Sequence, residues 1–201
     1  MQENAVRDAP STIFLNRLRG ITSAWMLMPF STWTIHAVRH ARKRLELKGD
    51  LELAAQETLG AAHSVAHTEI IRQGKVWEQD VIYRAIDGDP ELFQTIYLDV
   101  LAKRKNRRVL SKALDAIDGY LDTHYRAYLK PLLDYLGKQD RVVPLSEMSD
   151  HFAFSQVHPW HLEAACEWLG RKGLLEKVSA PFKLTKRSLE RVEEPAYLFN
   201  A

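Results

Sequence analysis

Apolar residues recur at helical spacing over most of the chain, and punctuation residues divide the pattern into elements. Pro10-Ser11 opens a helix whose inner face reads Phe14, Leu15, Leu18, Ile21, Trp25 and Met28. Pro29 is expected to kink or end it, because the proline ring clashes with the preceding turn. A second helix carries Trp33, Ile35 and Val38 and stops at Gly49. Asp50 can cap the next one, which places Leu51, Ala55, Leu59, Ala62, Ala66 and Ile70 on one side as far as about Arg72. The alanine density predicts close helix–helix approach. Gly74 breaks the pattern, and a short helix is expected over Val76 to Ile86. Asp89 and Pro90 then read as an N-cap and a first helical residue. Leu92 to Leu101 follow at helical spacing, and one long helix is expected from Leu110 towards Gly137.

The pattern changes near Arg141. Val142 to Leu145 reads as a short strand, Ser146 as an N-cap, and Glu147, Met148 and Phe152 as a short helix. A turn is expected over Ala153 to Val157. Pro159 suits the first turn of a further helix, with Leu162, Cys166 and Leu169 facing inward and Gly173 closing it. Leu174 to Ser179 reads as a strand, Ala180-Pro181 as a turn, and Phe182 to Thr185 as the returning strand. The tail from Val192 to Phe199 carries enough apolar mass to dock on something.

The expected fold is therefore mainly α: a multi-helix domain over residues 1–120, then a module over 121–201 that shares the long connecting helix and carries a small β-hairpin. This second region, from Arg141 to Ser188, resembles the winged helix-turn-helix superfamily over about a quarter of the chain. The strongest local match is Trp168-Leu169-Gly170-Arg171-Lys172-Gly173-Leu174-Leu175-Glu176, where the third helix runs into the wing. Winged helices bind DNA, bind RNA, or serve as docking modules in larger assemblies.

Charge adds two basic clusters to this picture. The whole chain carries a net charge of only +2, so there is no global bias towards polyanions. Lys103, Arg104, Lys105, Arg107 and Arg108 nevertheless put five cations into six residues, a local electrostatic footprint for phosphate. Arg39, Arg42, Lys43 and Arg44 form a second patch. If the two share a face, nucleic acid becomes the better partner. The module from Arg141 onward has eight Lys/Arg against eight Asp/Glu, so it is neutral. The resemblance makes its third helix the element that would read a major groove, with Gln156, His158 and His161 near the start. Glu163 and Glu167 on the same helix would repel the DNA backbone. Wing residues Lys183, Lys186 and Arg187 would touch phosphate. Trp160 is the candidate contact to a protein partner.

Other chemistries find less in the sequence. His36/His40 and His63/His67 are i, i+4 pairs that could hold zinc or iron if their helices were adjacent. The intervening residues are Ala37-Val38-Arg39 and Ser64-Val65-Ala66, not a metalloprotease helix, and Arg39 disfavours a cation. No site for a metal or other cofactor is assigned. There is no nucleophile elbow, no phosphate-cradling glycine loop and no dinucleotide fingerprint, so an enzyme is not expected. Cys166 is the only cysteine and falls on an apolar helix face, which excludes an intramolecular disulfide and fits a reducing compartment. Arg7, Asp8, Arg17 and Arg19 break up any early apolar run, and Pro29, Ser31, Thr32, Thr34 and His36 interrupt the stretch from Ile21 to Val38. Neither a signal peptide nor a membrane span is expected. The sequence reads best as a cytoplasmic, non-enzymatic nucleic-acid-binding protein, with DNA favoured over RNA. A winged-helix adaptor that docks on protein partners, and a helical metalloprotein, are the alternatives.

Overall fold

The structure, a computed structural model, describes residues 10–75, 80–183 and 191–200, with side chains over 24–75, 80–182 and 192–200. Val76 and Trp77 of the expected helix therefore lie outside the described residues. The chain is mainly helical and ends in a three-stranded antiparallel sheet.

α1 runs from Pro10 to Lys43 and continues into a π-helical turn, Arg44–Lys48. The two helices expected around Pro29 are one. Ser31, Thr32 and Thr34 donate to the carbonyls of Leu27, Pro29 and Phe30, and Ser64 of the next helix donates to Phe30 as well. Those residues look polar in sequence, yet inside the fold they satisfy backbone acceptors. Gly49, at φ 65°, closes the helix in the left-handed conformation.

α2 (Leu51–Arg72) starts where Asp50 accepts from the Leu53 N–H at 3.0 Å. Ala54, Ala55, Ala61, Ala62 and Ala66 are fully buried along it, opposite Ala37 and Ala41 of α1 in the same core. Small side chains let the two backbones approach, as the alanine density predicts. α3 (Val81–Gly88) leads to α4 (Pro90–Phe93), which Asp89 caps through the Leu92 N–H at 3.0 Å. A π turn, Gln94–Leu98, joins it to α5 (Asp99–Ala102).

α6 (Arg107–Tyr128) packs on both α1 and α2 and buries Leu110, Ala113, Leu114, Ile117 and Leu121. The single long helix expected as far as Gly137 breaks at Leu129, and α7 (Lys130–Leu136) continues from there. Pro131 accounts for the break, since it has no N–H to bond back across the preceding turn.

β1 (Val143–Pro144) precedes α8 (Leu145–His151), a short 3-10 turn Ala153–Ser155, and α9 (Pro159–Arg171), whose first residue is the expected proline. Ser146 is not the cap of α8. Instead the Glu194 carboxylate accepts from the Ser146 N–H at 2.8 Å and from its hydroxyl at 2.7 Å, so the sheet itself caps the helix. The hairpin also differs from expectation. Ala180-Pro181 is not a turn: β2 runs unbroken from Leu175 to Lys183. Pro181 is tolerated because β2 is an edge strand in the order β1-β3-β2, with no ladder on its outer side. The returning strand is β3 (Arg191–Phe199), made from the segment expected as a docking tail. Its Ala196 and Tyr197 are buried, and Val143 of β1 pairs with Tyr197.

One continuous set of buried residues runs from Met28 through Leu121 to Tyr197, across the boundary expected near residue 120. α9 contributes Leu162, Cys166 and Leu169 together with Ala164, Ala165 and Trp168, so it is covered on more than one side. α1 lies along it.

Candidate functional site

The residues singled out in the sequence gather near the two ends of the α1–α9 contact. At the basic end, the cluster 103–108 forms the link between α5 and α6 and the first turn of α6. Lys103 is tied to the buried Asp99 carboxylate at 2.6 Å. That hydrogen bond, with a second from Gln94, holds Asp99 below the usual carboxylate range. Lys105 pairs with Glu52 at 3.2 Å, and Arg107 donates to the Leu45 carbonyl at 2.9 Å. Asn106 caps α6 by accepting from the Val109 N–H. Arg104 and Arg108 are exposed, and neither has an ion pair among the described residues. The cluster thus divides into three cations that brace the fold and two that face solvent.

The same contacts bring this cluster to the second patch. Leu45 lies in the π turn that ends α1, directly after Arg42, Lys43 and Arg44. Arg42 donates to Asp118 at 2.5 Å and to Asp115 at 2.8 Å across α6. Burial opposes its charge, but the two carboxylates outweigh that and raise its pKa. Arg39 pairs with Glu167 of α9 at 2.7 Å, and Lys177 of β2 reaches the same glutamate at 2.7 Å. The acidic side of α9, which looked repulsive to DNA, is therefore largely neutralised from within. The wing residues Lys186 and Arg187, and the side chain of Lys183, lie outside the described residues.

At the other end, the first turn of α9 meets the middle of α1. His161 stacks on Trp33, with ring centroids 5.9 Å apart, and lies 4.8 Å from the His36 ring. His36 and His40 are 4.3 Å apart. Burial, then the neighbouring His40, His161 and Arg39, lower the His36 pKa to about 4, so its ring is neutral at physiological pH. Burial and His158 lower His161 likewise. His158 stacks on Trp160 at 3.5 Å, and both are exposed, Trp160 at 56%. Gln156 is exposed and adopts a left-handed conformation at φ 60°. Gln156 and His161 help line an apolar pocket of about 460 Å³ with Trp25, Met26, Phe30 and Phe154. Of the residues expected to read a groove, His161 is thus engaged with α1, while Gln156 and His158 face outward, as does Trp160, the candidate protein contact.

The two histidine pairs do not form a common centre. His67 stacks on Phe30 at 4.6 Å and bonds to the His63 carbonyl, while His63 meets the edge of Tyr97. Among the described residues no three His, Cys, Asp or Glu side chains are grouped so as to hold a metal ion. Burial pushes the Cys166 thiol up, away from reactive thiolate. Among the described residues no helix is long and apolar enough to cross a membrane.

A polar network escaped the sequence reading. Glu69 is only 6% exposed and accepts from Arg72 at 2.9 and 2.6 Å, from Gln73 at 2.9 Å and from the Tyr120 hydroxyl at 3.1 Å. Tyr120 and Tyr128 share a hydrogen bond of 2.6 Å. Burial alone would raise the Glu69 pKa, but these donors outweigh it and lower the value. The i, i+3 spacing of Glu69 and Arg72 was the one visible signal.

Neither a family model nor a curated protein matches this chain. Among solved structures it is similar to a nucleotidyltransferase-like protein from Exiguobacterium sibiricum 255-15, with a TM-score of 0.67 and 20% identity. The likeness covers 97% of this chain and 66% of that one, so this chain spans just under two thirds of that protein's length. At that identity the likeness shows a shared fold: a helical body that ends in a small antiparallel sheet.

Proposed function

We propose that this chain is a non-enzymatic nucleic-acid-binding protein that grips phosphate at the basic end of α1 and α6. The observation that supports it is the meeting of two clusters some sixty residues apart in sequence, through the Arg107 bond to Leu45. Arg104 and Arg108 are the contacts assigned to phosphate, because they are exposed and unspent on ion pairs among the described residues. The order β1, α8, α9, β2, β3 supports reading the C-terminal region as a winged helix, with β2 and β3 as the wing. In this reading α9 does not enter a groove deeply, since α1 runs along it and Arg39 is bound to its Glu167. The module then holds the basic end in place and leaves sequence reading to few contacts. The neighbour's description as nucleotidyltransferase-like fits a phosphate-bearing partner. The same description raises an enzyme reading, which release of pyrophosphate from nucleoside triphosphates would reveal; none is expected.

The test is fluorescence anisotropy with mixed-sequence duplex DNA over a range of salt. Binding should weaken steeply as salt rises, and Arg104→Glu with Arg108→Glu should cut the log–log salt slope by about 2, near one unit per lost phosphate contact. An unchanged slope would count against the proposal.

A specific observation favours a second reading, an adaptor that docks on protein. Phe154 at 70% exposure, Met26 and Trp33 are exposed apolar residues lining the apolar pocket, and Trp160 is exposed one residue before its lining His161. In that case Trp160→Ala should release a stable protein partner and leave DNA binding intact.

A further inference from the structure

A groove of about 530 Å³ lies between the last turns of α1, the outer face of α6 and the end of α9. Ile35, Val38 and Trp168 form its apolar floor, and Leu47, which is 76% exposed, stands at its rim. Five cations line it (Arg39, Arg42, Lys43, Arg171 and Lys172) against three carboxylates, Glu46, Asp118 and Asp122.

The ion pairs inside the groove sort these charges. Asp118 is taken by Arg42, and Asp122 by Lys172 at 2.5 Å. The Lys172 ammonium also sits 4.4 Å above the Trp168 ring, which fixes that side chain against the floor. Arg39 is drawn to Glu167. Lys43 and Arg171 remain: both are exposed, both line the groove, and neither has an ion pair among the described residues. They come from α1 and α9, so an unmatched cation stands on each of two walls. Glu46 also has no ion pair among the described residues and supplies an acceptor.

We propose that this groove is a binding site for a nucleoside diphosphate. The volume is in the range of small-ligand pockets, roughly 300–1,000 Å³. Leu47, exposed at the rim, suits the face of a base. Two unspent cations from different helices suit two phosphates, with the Arg171 guanidinium able to take phosphate oxygens in pairs. Glu46 accepts hydrogen bonds from a ribose hydroxyl or an exocyclic amine. A purely inorganic anion would leave Leu47 unused, and an apolar ligand would leave both cations unmatched. The site uses neither Arg104 nor Arg108, but it shares Lys43 with the α1 patch on which the nucleic-acid reading rests, so the variants below separate the two.

Equilibrium dialysis of the full chain with ADP tests it. Wild type should show saturable binding at one site with a dissociation constant below about 1 mM. Arg171→Glu and Lys43→Glu should each weaken it by about tenfold or more, while far-ultraviolet circular dichroism stays unchanged, since both residues are exposed. Leu47→Ser should weaken ADP but leave binding of inorganic pyrophosphate as it was. Arg104→Glu with Arg108→Glu should lose DNA and keep ADP. No saturable ADP binding to wild type, ADP affinity indifferent to Arg171→Glu and Lys43→Glu, or ADP lost only with Arg104 and Arg108 would each overturn the assignment. Equal effects of Leu47→Ser on ADP and pyrophosphate would overturn the placement of the base.

Discussion

The two ends of the α1–α9 contact are held by different physics. At the first turn of α9, rings do the work: Trp33 on His161, Trp25 on Phe152, and His36 packed among His40 and His161. At the far end the same helices are joined by Arg39 to Glu167, beside a charged groove. Desolvated rings resist exchange with water, whereas half-exposed ion pairs are screened and contribute little. The aromatic end therefore fixes the geometry, and the ion pairs at the basic end add little to stability.

Truncating a ring at the first end should break this contrast most visibly. Phe152 is fully buried between Trp25, Tyr135 and His151. Phe152→Ala should cost about 3–5 kcal/mol, read as a lower urea midpoint at constant m. A loss no larger than that of a surface substitution would mean the aromatic end is not the anchor.

Acid should attack the same end. A histidine held neutral in the fold binds fewer protons there than in the unfolded chain. For His36 that difference spans the pH range from 6.5 down to about 4. Its contribution is complete above 6.5 and is lost as pH falls through that window. His36→Phe should make stability less steep in pH across it. Part of the slope should survive, because burial also lowers His63, His124 and His161. A pH profile identical to wild type would remove His36 from the account.

Smaller effects are expected at the basic end. Arg39→Ala should cost under about 1 kcal/mol, and a double-mutant cycle with Glu167→Gln should return a coupling of the same size that fades in high salt. A coupling of several kcal/mol would erase the contrast between the ends. Smallest of all should be Trp160→Ala, within about 0.5 kcal/mol of wild type in thermal unfolding, since the ring is mostly solvent-facing.

Local signals in the sequence carried well where the backbone decides. Asp50, Asp89 and Pro159 sit at the helix starts they mark, and Gly49 and Gly173 take left-handed conformations. Prolines misled in both directions. Pro29 lies inside a continuous helix, and Pro181 lies inside a strand because the strand is an edge. Pro131 breaks a helix that apolar periodicity alone would continue. The cap of α8 comes from Glu194, almost fifty residues away, and no local pattern could announce it. For the candidate site, the cationic clusters were legible as composition. Which cations are free was not, because Lys103, Lys105 and Arg107 are spent on Asp99, Glu52 and Leu45, two of them in separate helical segments. The groove between α1, α6 and α9 is a product of tertiary packing, and its lining residues are scattered over nearly 140 positions.

The central claim is that phosphate is gripped at the start of α6 and not by the first turn of α9. Photo-cross-linking to a mixed-sequence duplex, followed by peptide mapping, tests it most directly. Cross-links should concentrate in the peptides that carry Arg104 and Arg108. Cross-links confined to the segment from Gln156 to Glu163, with none near Arg104 and Arg108, would contradict it.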